Sequence, residues 1–299
     1  MSRTLKAHVL LILITLIWGV TFVVIKNAIQ DMPPLLFNCV RMILAAVALV
    51  LIYVRHVPRI NRSTLLSVLP CGVFLWAGYE FQTTGLRFTT PSKSAFVTGL
   101  SVILVPVFLA IFWRKRLKAW TWAGVFAAFV GLYLLTVPAG EGGAALNLQG
   151  INLGDVLTLG CAITFAFQII FVGIATRKHR FEHVAMLQAV ICAILMAGTL
   201  PFGGDLHALW SPRVLWAIAI TGLLCTAAAF TIQAWAQQFT SPTYTALIFA
   251  LEPVFAWITS LTFLGEHLGY RAGLGAILIL GGIVIAELKG GSDEAAEAA

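Results

Sequence analysis

The 299-residue chain is a succession of apolar runs, ten in all, at about 7–27, 34–54, 65–86, 92–113, 119–138, 153–175, 184–202, 213–237, 242–263 and 269–288. A bilayer core about 30 Å thick is crossed by roughly 20 apolar residues in a helix, so each run has the length of one span. The gaps are short and leave no room for an inserted soluble domain. Only 10% of the residues are charged and 60% are apolar, against roughly 25% and about half in an ordinary globular domain. A soluble chain of this composition could not cover its surface with water-compatible groups. That argues against a cytosolic enzyme or a secreted domain and leaves an all-α integral membrane protein. The first run carries Trp18 and Lys26 and has no small-x-small cleavage site before Asp31, so it reads as a span and not as a cleaved signal peptide.

The net charge of +7 comes from Lys and Arg in the short loops. No basic stripe is interleaved with stacking aromatics, so no nucleic-acid partner is expected. With the N-terminus placed in the cytoplasm, that side holds Arg3, Lys6, Arg55, Arg59, Arg62, Arg114, Lys115, Arg116, Lys118, Arg177, Lys178, Arg180 and Lys289. The opposite side holds only Arg87, Lys93, Arg213 and Arg271. Cytoplasmic loops carry the Lys/Arg excess, so the expectation is ten lipid-embedded spans with both termini cytoplasmic. The five cysteines (Cys39, Cys71, Cys161, Cys192, Cys225) fall singly within apolar runs, and neither a CxxC nor an HExxH spacing occurs. No disulfide framework, metal site or cofactor is expected.

Sliding the chain by 151 residues superposes two stretches without a gap. The matches include Ala77/Ala228, Gln82/Gln233, Phe88/Phe239, Thr89/Thr240, Pro91/Pro242, Ala95/Ala246, Phe112/Phe263, Leu117/Leu268, Gly124/Gly275 and Gly131/Gly282. The polar and Gly/Pro positions match, and the offset carries the third to fifth runs onto the eighth to tenth. The halves hold five runs each, an odd number, so the second half must run in the opposite sense. Residues 1–138 then form a first five-helix repeat and 139–152 a Gly-rich periplasmic linker. Residues 153–289 form the inverted second repeat, and 290–299 a disordered acidic tail. Inverted repeats around a central cavity are a frequent architecture of secondary transporters, with substrate bound near the midplane between the halves.

Four motifs resemble one family. Trp18-Gly19, Pro33-Pro34-Leu-Leu-Phe37 followed by Arg41, Gly85-Leu-Arg-Phe-Thr-Thr-Pro91 through Pro106, and Leu251-Glu-Pro-Val-Phe255 with Leu264-Gly-Glu266 occur in the order seen in EamA-type members of the drug/metabolite transporter superfamily. The chain most resembles their YddG-type amino-acid exporters of the bacterial inner membrane. The resemblance implies a ten-helix bundle of two inverted five-helix repeats around a central cavity, exporting small metabolites; the amino-acid substrate rests on the resemblance alone.

Ionisable groups at membrane depth are expensive and are functional candidates by default. Arg41, Glu80 and Lys93 fall in the outer third and could pair with one another, either locking helices or contacting substrate. Glu252 lies near mid-run beside Pro253, which lacks an N–H and crowds the preceding turn; it suits a substrate ammonium, a proton, or backbone groups freed at the kink. Helical spacing puts Trp76, Tyr79, Glu80 and Thr83 on one face, apt for an amphiphilic solute through apolar and cation–π contact or simply for packing. Trp18 and Phe22 on the first run, Phe96 on the fourth, Gln168 on the sixth and Phe230 and Gln233 on the eighth complete the candidate cavity. Buried amides pair with other helices as readily as with substrate. Pro91 and Pro242, at repeated junctions, and Pro253 are the candidate gating hinges. Gly124, Gly131, Gly275 and Gly282, seven apart in each pair, read as packing faces within the chain or between copies of a homodimer.

No Walker A sequence and no catalytic constellation is present, so an enzyme is not expected. The reading is a small-metabolite exporter, with amino acids (aromatic and neutral among them) as substrates and a cavity among the first, third, fourth, sixth, eighth and ninth runs. Nucleotide-sugars, purines or cationic drugs as substrates, and an uncoupled facilitator, are the alternatives.

Overall fold

The computed structural model describes residues 2–85, 88, 91–136, 152–202, 206–255, 258 and 270–290. Local sequence sets where the helices begin. Ser2 accepts the Leu5 N–H at 3.2 Å and opens α1, Arg3–Ala28. Pro34 occupies the first turn of α2, Pro34–Ile52, where its missing N–H forfeits no bond. Asn61 Oδ1 accepts the Thr64 N–H at 2.8 Å at the head of α3, Arg62–Gly85. Then come α4 (Pro91–Gly99), α5 (Ser101–Phe112) and α6 (Ala119–Thr136). A reciprocal capping box between Asn152 and Asp155, both bonds 3.0 Å, starts α7, Leu153–Lys178; such a box satisfies two otherwise orphaned N–H groups. α8 is Phe181–Thr199, α9 Pro212–Ala236, α10 Pro242–Phe249 and α11 Tyr270–Gly290. The linker (apart from Asn152) and the acidic tail beyond Gly290 lie outside the described residues.

Among the described residues, five helices are long and apolar enough to cross a bilayer: α2, α3, α7, α8 with its short extension to Phe202, and α9. Three apolar stretches are shorter: Phe96–Phe112, Ala119–Leu135 and Tyr270–Ala286. The distribution of polarity is the reverse of a water-soluble protein. Phe126, Ile194, Trp216 and Ile277 face outward, while Gln168, Gln188, Gln233 and Gln237 are sealed inside. Hydrocarbon as solvent demands this arrangement, because it offers amides no partner.

Two runs that read as single helices are broken. The fourth stops at Gly99 and restarts at Ser101, with Leu100 N–H turned onto Val97 O at 3.1 Å. The ninth ends its first helix at Phe249; Leu251 N–H bonds Ile248 O at 3.0 Å before helical turns resume over residues 252–255. Leu100 and Leu251 are 151 residues apart, so the two interruptions fall at equivalent repeat positions. In the second, Pro253 has no N–H to give the Phe249 carbonyl, and its ring crowds that turn. The eighth run is also irregular: α9 contains a π-helical segment, Leu223–Ala228.

The glycine faces of α6 and α11 meet within the chain. A Cβ built on Gly131 would lie 2.5 Å from the Gly275 carbonyl oxygen, and one on Gly275 2.5 Å from that of Gly131. Gly124 and Gly282 face each other in the same reciprocal way. Gly124 thus opposes Gly282 and Gly131 opposes Gly275, so the two helices run antiparallel. Since 124 is equivalent to 275 and 131 to 282 under the 151-residue shift, repeat-related helices cross about a local two-fold.

Candidate functional site

The π-helical segment of α9 is where the site begins. Trp18 of α1 donates its indole Nε1 to a carbonyl within it, Cys225 O, at 2.8 Å. Thr21, one turn on, places Oγ1 3.3 Å from Cys225 Sγ. So anchored, the Trp18 ring meets Phe249 edge-on with centroids 5.0 Å apart and lies 6.0 Å from Phe230. Tyr79 of α3 stands edge-on to Phe165 of α7 at 5.6 Å and to Phe230 at 6.5 Å. Tyr79 and Phe230 are themselves repeat equivalents, 151 apart, and they touch near the centre of the bundle. Trp18, Tyr79, Phe165, Phe230 and Phe249 thus form an aromatic box contributed by both halves.

Charged side chains accompany the box. The Arg41 guanidinium of α2 lies 4.3 Å from the centroid of the Tyr79 ring, a cation–π distance. Arg41 is buried, and its Nε has no hydrogen-bond partner. Glu252 follows the break between α10 and the turn at 252–255; among the described residues it has no hydrogen bond or ion pair. Tyr79 and Glu252 are both partly buried.

The other candidates have settled elsewhere. Glu80 does not pair with Arg41; its carboxylate accepts the Thr199 hydroxyl at 3.1 Å, joining α3 to α8. Thr83 is buried and bonded to Asn38 Nδ2. Phe96 packs on Phe129 and Tyr133 of α6, at 6.2 and 5.8 Å. Trp76 packs beside Tyr79 against the α2–α8 core, with its Nε1 buried and unpartnered. Gln168 and Gln233 belong to a sealed amide relay. Gln168 Nε2 donates to Gln188 Oε1 at 3.0 Å, Gln233 Nε2 is 3.2 Å from Gln168 Oε1 and from Gln237 Oε1, and Gln237 Nε2 donates to Ile169 O at 2.9 Å. The relay ties α7, α8 and α9 together and is not open to a solute. Pro91 and Pro242 each open a helix, α4 and α10, and Ser241 caps the latter. The side chains of Phe22, Lys93 and Pro91 lie outside the described residues. No group of three or more His, Cys, Asp or Glu able to hold a metal is found among the described residues.

Sequence reasoning missed Phe165, Phe249 and the Cys225 carbonyl. The aromatics have no repeat identity to single them out, and a π-helical turn has no residue signature. An Ala-rich stretch such as Thr226–Ala229 reads as ordinary helix.

This is the interior of a helical, multi-pass membrane transporter. The EamA-like transporter family matches residues 5–137 and again 152–288, and the chain belongs to that family, with two EamA repeats. An uncharacterized transporter of Archaeoglobus fulgidus is 31% identical over 96% of this chain and 87% of its own length. A probable amino-acid metabolite efflux pump of Salmonella typhimurium is 29% identical over 95% of both chains. A similarly named protein of Escherichia coli is 30% identical over 57% of this chain and 54% of its own. A solved crystal structure shares the fold with a TM-score of 0.76 at 18% identity, covering 97% of this chain and 99% of that one.

Proposed function

We propose that this chain is a secondary transporter that exports small metabolites, amino acids among them, across the bacterial inner membrane by alternating access. One observation carries the reading. An aromatic box built by both repeats is bordered by the buried Arg41 guanidinium and by Glu252, and neither has an ion-pair partner among the described residues. Buried charges without partners are costly in a low-dielectric interior, and such a pocket is made to be completed by a solute.

Further features support the rest of the reading. The antiparallel crossing of α6 and α11 is what two inverted five-helix halves, ten spans in all, require. The broken helices at equivalent positions are the usual pointer to a midplane site in transporters with inverted repeats. The Lys/Arg bias of the loops supports cytoplasmic termini. The amino-acid class is supported by the names of two relatives and by a box apt for an amphiphilic solute.

The test is uptake of a radiolabelled amino-acid panel, spanning aromatic, aliphatic, basic and acidic side chains, into proteoliposomes with and without an imposed pH gradient. Saturable uptake above empty liposomes is expected for aromatic and neutral members. Uptake indifferent to the gradient identifies a facilitator, and gradient-driven uptake a proton-coupled carrier. No uptake of any amino acid above baseline overturns the substrate class.

A further inference from the structure

The geometry points to a zwitterion site. Arg41 takes the carboxylate of the solute and Glu252 its ammonium, with the aromatic box holding the side chain between them. The inference rests on the amino-acid reading above and assigns the charged groups that would recognise such a substrate.

Arg41 is 4% exposed, its Nε is without a partner, and the contacts of its guanidinium are two ring faces, Tyr79 at 4.3 Å and Phe37 at 5.9 Å. Aromatic faces orient a guanidinium but do not neutralise it. The nearest candidate carboxylate on α3, Glu80, is engaged by Thr199 instead. Guanidinium is the side chain best shaped to take a carboxylate in two parallel bonds.

Glu252 has the complementary defect, since no cation faces it among the described residues. It stands immediately after the break at Ala250–Leu251. There Pro253 leaves the Phe249 carbonyl without its helical donor, and α10 ends with its negative dipole end. A carboxylate, a released carbonyl and a helix C-terminus together make a site for an ammonium, which has three donors to place.

The two charges border the same box: Arg41 lies over the Tyr79 ring at 4.3 Å, and Glu252 follows by three residues Phe249, whose ring meets Trp18. A simple anion would neutralise Arg41 and leave Glu252 bare, and a simple cation would do the reverse. A solute carrying both charges on one small frame satisfies both ends at once. Trp18, Phe230 and Phe249 then offer apolar faces to its side chain.

The experiment is competition against radiolabelled L-phenylalanine bound to the purified full-length protein in detergent. The competitors are unlabelled L-phenylalanine, phenethylamine (ammonium only) and 3-phenylpropionate (carboxylate only). Each analogue is expected to compete at least tenfold more weakly than the amino acid. Arg41→Gln is expected to weaken the amino acid and 3-phenylpropionate tenfold or more and to leave phenethylamine unchanged. Glu252→Gln is expected to do the opposite, weakening the amino acid and phenethylamine only. Analogues that compete as well as the parent, or variants that weaken all three ligands equally, overturn the zwitterion assignment while leaving amino-acid recognition standing. Absence of specific phenylalanine binding, together with no uptake across the amino-acid panel, overturns both. If a variant fails to fold, the wild-type comparison of the three ligands still decides.

Discussion

Alanine in place of Gly131 should loosen the whole bundle, because a methyl group there has nowhere to go. Its Cβ would sit 2.5 Å from Gly275 O, 2.8 Å from Ile279 N and 2.9 Å from Ile279 Cγ1. Carbon and oxygen approach to about 3.3–3.6 Å in helix–helix contacts, so α6 and α11 must part by about 1 Å. Backbone lies on the other side of the contact, so no side chain can swing away. Overpacking of this kind costs about 1–3 kcal/mol, offset by about 0.5–1 kcal/mol from replacing glycine in a helix interior. The net loss is up to about 2.5 kcal/mol, a fall of up to about 4 °C in melting temperature for a chain of this size. Gly281 is the control: it lies on α11, the other helix of the contact, and a Cβ there meets nothing within 4 Å. Gly281→Ala should hold or slightly raise the melting point. The assay is thermal unfolding in detergent followed by fluorescence-detected gel filtration. Equal melting points for Gly131→Ala and Gly281→Ala would refute the close-contact reasoning.

Three other expectations follow from named contacts. Trp18→Phe removes the donor from the Cys225 carbonyl and should cost about 1–3 kcal/mol while lowering uptake; an unchanged melting curve would mean that the π-helical segment does not depend on the indole. Gln233→Ala cuts the amide relay and takes the Gln233 donor from Gln168 Oε1 and Gln237 Oε1, a loss of about 1–3 kcal/mol read by the same melt, with substrate preference unaltered because the relay is sealed. Pro242→Leu, at the head of α10, should lower the uptake rate more than it changes preference across the amino-acid panel; an altered preference at full rate would remove this proline from the gating machinery.

Much of the architecture was legible because hydrocarbon imposes simple rules. Run length reads as helices, and the Pro91/Pro242 and Gly124/Gly275 correspondences point to a repeat. Within the site, Trp18, Tyr79 and Phe230 come from the same logic and converge in space. Thr83, Phe96, Gln168 and Gln233 came from it too and do not. A polar or aromatic residue at membrane depth must find a partner, and nothing in one sequence says whether that partner is a neighbouring helix or a solute. Glu80 and Arg41 failed to pair for a related reason: position along a helix fixes depth but not azimuth, and Thr199 of α8 lay closer than α2. The breaks at Leu100 and Leu251 are not legible in the pattern, because apolar residues continue across them. Only Pro253 marked one of the two.

The central claim is that the aromatic box is the transport site. Its most direct measurement is initial-rate uptake of radiolabelled L-phenylalanine into proteoliposomes, comparing wild type, Tyr79→Ala and Phe126→Ala at matched protein content. Tyr79 joins the box to Arg41, whereas Phe126 faces outward. Saturable uptake by wild type and Phe126→Ala, with at least a tenfold loss in Tyr79→Ala, is the predicted result. Uptake that survives in Tyr79→Ala at the wild-type rate and half-saturation would contradict the account.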